Sequence, residues 1–66
     1  MNYRDYFMTV DEVCDQLGRS RRTVMEWARR GRDPLPLRIP DGMGRGAFIR
    51  FSELADWLDR NTEPLG

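Results

Sequence analysis

Apolar residues recur along this chain in two different periods, and the change of period divides it into elements. Val10, Val13, Cys14 and Leu17 stand at i, i+3, i+4 and i+7, one stripe of a helix facing a core. Thr9 and Glu12 ahead of that stripe have the spacing of a capping box, with Met8 and Val13 at the hydrophobic staple positions. Gly18 supplies the left-handed stop. A second helix begins two residues later, with Ser20 as its N-cap, Val24, Trp27 and Ala28 as its inner face and Gly31 as its end. Two short helices joined through a glycine turn cannot lie antiparallel, so they cross in helix-turn-helix fashion. That crossing needs a small residue on the first helix, and Cys14 meets the need as a small buried hydrophobe.

From residue 35 the period becomes two. Leu35, Leu37 and Ile39 alternate with Pro36 and Arg38, and Ala47, Ile49 and Phe51 alternate with Phe48 and Arg50. Both segments read as short strands, separated by the turn-rich PDGMGRG. They predict a two-stranded hairpin whose prolines suit an edge strand. Ser52 then reads as the cap of a third helix with Leu54, Trp57 and Leu58 turned inward and Glu53 in its first turn. Helix, turn, helix, hairpin, helix is the order of a winged helix-turn-helix, mainly α with a small β-hairpin.

The length of 66 residues sets the scale: one domain, with its core about 8–60, burying only about 60% of the surface of its unfolded chain. One cysteine and no histidine argue against an internal disulfide and structural zinc, and neither a cofactor nor a metal is expected. No apolar run approaches a membrane span, and the polar start is not that of a signal peptide, so a reducing, cytoplasmic setting without membrane contact is expected.

Net charge is zero, but it is unevenly placed. Residues 1–18 set Arg4 against Asp5, Asp11, Glu12 and Asp15; residues 19–50 set nine arginines against Glu26, Asp33 and Asp41; residues 51–66 set Arg60 against Glu53, Asp56, Asp59 and Glu63. The basic middle lies between acidic ends, a sign asymmetry that points to a polyanionic partner. Every cation is arginine, which suits bidentate recognition of phosphate and guanine, although a GC-rich genome gives the same bias. Arg21 and Arg22 fall in the first turn of the second helix, where the dipole disfavours cations by roughly 0.3–1 kcal/mol each.

The framework MTVDEVCDQLGRSRRTVMEWARRG, followed by LRI and FIRFSELADWLDR, resembles the excisionase and AlpA-type group of small winged DNA-binding proteins, related to the DNA-binding domain of MerR regulators. The likeness rests on Thr9-Val10, Leu17-Gly18-x-Ser20, Thr23-Val24-x-x-Trp27 and Leu54-x-x-Trp57-Leu58. The wing is longer than is usual in the group, and Arg19 stands where a small aliphatic residue is common. The resemblance implies that the second helix enters the major groove of double-stranded DNA with its first residues at base edges. The outer residues Ser20, Arg21, Arg22, Met25, Glu26 and Arg29 then face DNA. Arg21 or Arg22 suits guanine, and Ser20 and Thr23 suit phosphate. Glu26 either accepts from a cytosine amine or completes an i, i+4 ladder with Arg22 and Arg30. Arg30 and Arg32 are placed for the DNA backbone, and Arg19 in the turn and Arg38, Arg45 and Arg50 on the wing for phosphate or the minor groove. Tyr3, Tyr6 and Phe7 either pack on the domain or face a partner.

An enzyme is not expected: the chain has no histidine, no nucleophile–base pair and little room for a pocket that would take a small-molecule substrate. Two roles follow from the resemblance. An excisionase-like factor of a phage or other mobile element binds and bends DNA for an integrase, often as several copies side by side, which implies cooperative self-association on DNA. An AlpA or MerR-type protein regulates transcription. The chain ends soon after the third helix and leaves no room for an effector domain, which favours the first role. A winged scaffold that has lost DNA binding and serves protein interaction is the reading from a different class, motivated by the zero net charge.

Overall fold

Thr9 ends one element and begins the next. In the computed structural model, which describes residues 5–40 and 46–65, a short strand β1 (Phe7–Thr9) runs directly into helix α1 (Val10–Leu17). The Thr9 hydroxyl accepts from the Glu12 N–H at 3.1 Å, and the Glu12 carboxylate accepts from the Thr9 N–H at 2.8 Å. This is the capping box the sequence predicts, and both staple residues, Met8 and Val13, are buried. Gly18 takes φ +64 and donates its N–H to the Cys14 carbonyl, which also accepts from Arg19. Helix α2 (Arg21–Arg29) follows, with the Ser20 hydroxyl accepting from the Thr23 N–H at 3.2 Å. The helix stops one residue ahead of the expected glycine: Arg30 is already extended.

The apolar alternation at Leu35, Leu37 and Ile39 does not make a strand. Prolines at 34, 36 and 40 remove ladder donors, and the Leu35 N–H turns back to the Trp27 carbonyl at 3.0 Å. Leu37 donates to the Leu35 carbonyl at 2.8 Å, a three-residue turn centred on Pro36. Only Arg38 reaches a strand, exchanging two hydrogen bonds of 2.8 and 2.9 Å with Phe48. That bridge forms the base of the wing; its tip, with the predicted contact Arg45, lies outside the described residues, as does Tyr3. The second wing segment is β2 (Phe48–Arg50), and its other edge pairs antiparallel with β1, Phe7 against Arg50 and Thr9 against Phe48. The winged helix-turn-helix fold is thus present, but with the N-terminal segment supplying the strand that the proline-rich one was expected to form.

Helix α3 (Phe51–Asn61) has its N-cap at Arg50 rather than Ser52. The Glu53 carboxylate accepts from the Arg50 N–H at 3.2 Å, so the capping contact lies two residues earlier than the sequence suggests. Ser52 serves differently: its N–H and hydroxyl both donate to the Asp5 carboxylate, at 3.0 and 2.8 Å. A carboxylate at a helix N-terminus is favoured by the dipole. These two bonds, the backbone one first, hold Asp5 below the ordinary aspartate pKa.

Met8, Val10, Val13, Val24, Leu35, Ile49, Leu54 and Trp57 form the core. Fully burying side chains of this size stabilises by roughly 1.5–3 kcal/mol each. Cys14, Trp27, Ala28, Leu37 and Leu58 pack partly buried around them, and the Trp27 and Trp57 rings meet at 5.3 Å. Tyr6 and Phe7 are about half exposed, Tyr6 stacked on Phe51 and Phe7 edge-on to Phe48.

Candidate nucleic-acid interface

Helix α2 turns Val24 into the core, which leaves Ser20, Arg21, Arg22, Glu26 and Arg29 exposed on its outer side. Thr23 is half buried beside its capping partner, its hydroxyl accepting from Ser20 at 3.1 Å. Met25, expected on the outer face, is half buried and packs against the core: it flanks Val24, and a flexible apolar side chain gains by folding inward.

The first turn of α2 carries two cations and no acid. What offsets this is Asp11, from the first turn of α1, whose carboxylate accepts from the Arg21 guanidinium at 2.8 Å. Arg22 lies 3.6 Å from Glu26 one turn along, with both side chains largely in water. Exposed pairs of this kind contribute about 0–1 kcal/mol, so neither pair does much for the stability of the fold. The side chains of Arg19, Arg29 and Arg32 are exposed and have no acidic partner among the described residues.

The wing arginines are placed less openly. Arg38 pairs with Glu53, and this bond first of all holds Glu53 below the usual glutamate pKa. Arg50 lies 3.6 Å from Asp5 and sits over the Phe7 ring at 4.8 Å. Both remain about half exposed, at the base of the wing. A cleft of about 300 Å³ opens between that base and the starts of the two helices, lined by Thr9, Val10, Asp11, Arg21, Gly46 and Ala47.

At the other end of α2 the chemistry is internal. Arg30 lies 4.8 Å over the Trp57 ring, donates to the Asp33 carbonyl at 3.2 and 3.1 Å, and bonds Asn61. Trp57 Nε1–H donates to the same carbonyl at 2.7 Å. The Asp33 side chain takes two bonds from Arg60, each 3.0 Å, and one from Asn61 at 2.8 Å. The Arg60 bonds first, then the Asn61 bond, hold Asp33 down to about 2, and the bonds to Asp33 in turn raise Arg60 above its ordinary value. Asp33 adopts φ +42, a left-handed conformation that aspartate tolerates better than most residues. A wider cleft of about 970 Å³ lies here, away from the start of α2.

Asp11 and Asp33 are the residues that reading the sequence missed. Asp11 stands there only among the acids of the N-terminal end, and nothing local points to a partner ten positions on. For Asp33 the sole local signal is its place after Gly31 and before Pro34, in a turn. No helix among the described residues is long and apolar enough to cross a membrane.

A family model described as a helix-turn-helix domain matches residues 7–62, most of the chain and all five elements. No curated protein and no solved structure matches it.

Proposed function

The chain belongs to the helix-turn-helix domain family of AlpA- and excisionase-like small DNA-binding proteins, and from that premise we propose that it reads defined sequences in duplex DNA through the outer face of α2. The observation that carries this reading is the start of that helix. Arg21 and Arg22 are exposed where the helix dipole disfavours them, beside the free N–H groups that suit an anion. Ser20 and Thr23 adjoin them for phosphate, and Glu26 is in reach of a cytosine amine. Arg19, Arg29 and Arg32 add unneutralised charge for the backbone, and on the wing Arg45, with Arg38 and Arg50 that are each paired with a carboxylate, is assigned to phosphate or the minor groove. Arg30 contributes at most through its edge, because Asp33, Asn61 and Trp57 already hold it.

Within the family we assign an excisionase-like role: a protein of bacterial or phage origin that binds and bends DNA for an integrase in the bacterial cytoplasm. The bipolar charge supports side-by-side binding, since acidic α1 and α3 of one copy complement the basic middle of the next. An AlpA-type regulator shares the same contacts. The family is typically non-enzymatic, and the site residues have binding rather than catalytic roles.

Five of the described arginines lie within 4 Å of a carboxylate, which favours the competing reading of a scaffold that serves protein interaction. Salt separates the two. A DNA binder that neutralises Z phosphates loses affinity for mixed-sequence duplex with a slope near −0.9Z in log K against log salt. A flat titration, or no binding at low salt, overturns the proposal. Footprinting on DNA flanking the protein's own gene divides the roles: direct repeats with bending support the excisionase assignment, and a single site over a promoter overturns it in favour of regulation.

A further inference from the structure

The Asp11–Arg21 contact is of little use to the fold, because both side chains lie mostly in water, 84% and 58% exposed. Its geometry suits something else. The contact engages one terminal nitrogen of Arg21, NH1. A guanidinium offers five donors in a rigid plane, and here the edge formed by Nε and NH2 has no partner among the described residues. That edge is the fork that matches O6 and N7 of guanine. The pair also lines the cleft where the starts of α1 and α2 meet the base of the wing.

Two consequences follow from having a carboxylate there. It fixes the plane of a side chain that otherwise samples many rotamers, and it cancels the charge that draws arginine to phosphate. Asp11 itself repels a phosphate, whereas a guanine edge is neutral. Water excluded by bound DNA strengthens the pair rather than weakening it. Arg22 differs: its partner Glu26 is one turn away on the same helix at 3.6 Å, and its side chain is 88% exposed.

We infer that Asp11 is a positioning residue for sequence readout, presenting Arg21 to a guanine edge and withholding it from the phosphate backbone. The inference rests on the reading that the start of α2 faces DNA, and the experiment separates the two. Affinities of the full chain and its variants are measured for a duplex enriched by the wild-type chain from a random pool and for a mixed-sequence duplex of the same length. Arg21→Ala is expected to weaken the enriched duplex by roughly 5- to 150-fold, the value of one bidentate base contact. Should it leave that affinity unchanged, the reading of α2 itself fails. Given that loss, Asp11→Asn is expected to lower enriched-duplex affinity by about threefold or more, the lower range of coupling between contacting residues. It also raises mixed-sequence affinity and steepens its salt dependence, and both effects shrink in the Arg21→Ala background, where only the repulsion between Asp11 and phosphate is relieved. Asp11→Glu keeps the charge but moves the carboxylate by one methylene, so it reduces the preference while leaving mixed-sequence affinity at the wild-type value. Equal gains on both duplexes from Asp11→Asn, or an unchanged preference in both Asp11 variants, overturn the inference.

Discussion

At the N-terminal end of α2, Arg21 and Arg22 stand against the helix dipole, largely exposed and held by exposed partners. At its C-terminal end, Arg30 is half buried, stacked on Trp57 and bonded to Asp33 and Asn61, so that the end of α2 is tied through the 31–33 turn to α3. One residue type thus has opposite uses some fifteen ångströms apart, the length of about ten helical residues. Where a guanidinium finds an aromatic face and a backbone carbonyl it stabilises structure; where it finds water and a single carboxylate it remains available. The helix is anchored at one end and offered at the other.

Trp57→Ala is the strongest way to break the anchored end. It removes a core ring, the stack with Trp27 and the bond to the Asp33 carbonyl, and denaturant unfolding should show a loss of about 3–5 kcal/mol. A loss below 1 kcal/mol would mean that the C-terminal junction is not an anchor. The next contrast is direct. Arg30→Ala should cost about 1–2 kcal/mol of stability through its lost bonds, whereas Arg22→Ala should leave stability within about 0.5 kcal/mol and lower DNA affinity instead. If the two substitutions exchange these effects, the division of α2 into a structural and a functional end is wrong.

Acid gives the smallest effect and tests the anchor alone. The Asp33 pKa is lowered to about 2 from an ordinary 3.8, so its contribution is complete above pH ~3.8 and is lost as pH falls through the folded value near 2. Asp5 and Glu53 are shifted the same way. The melting temperature should therefore hold steady above about pH 5 and decline in acid. Asp33→Asn, which tolerates the left-handed backbone, should flatten part of that decline. An unaltered acid profile in this variant would place the sensitivity elsewhere.

Local rules found the helices. Thr9 with Glu12, Gly18, and Ser20 with Thr23 each act within four residues, and each appears where the spacing places it. They failed where the deciding contact is remote. The alternation at 35–39 was sound as a pattern, but the Leu35 N–H has its partner on α2, and Phe7–Thr9 becomes a strand only because β2 supplies an edge. Ser52 has the chemistry of a cap, and Asp5, 47 residues away, took its donors. At the interface, the exposure of the arginines follows from the periodicity of α2, while the partners that sort them, Asp11 and Asp33, are set by tertiary packing.

The pairing of β1 with β2 has a kinetic consequence. It joins segments roughly forty residues apart, and everything proposed to touch DNA except Arg50, which lies in β2 itself, sits inside the loop it closes. Contacts of such sequence separation slow folding more than they alter stability. The strand pair is therefore the expected bottleneck: substitutions at Met8 or Ile49 should act on the refolding rate, and those on the outer face of α2 should leave it untouched. A family of binders with new sequence preferences could be drawn from this chain without slowing its folding.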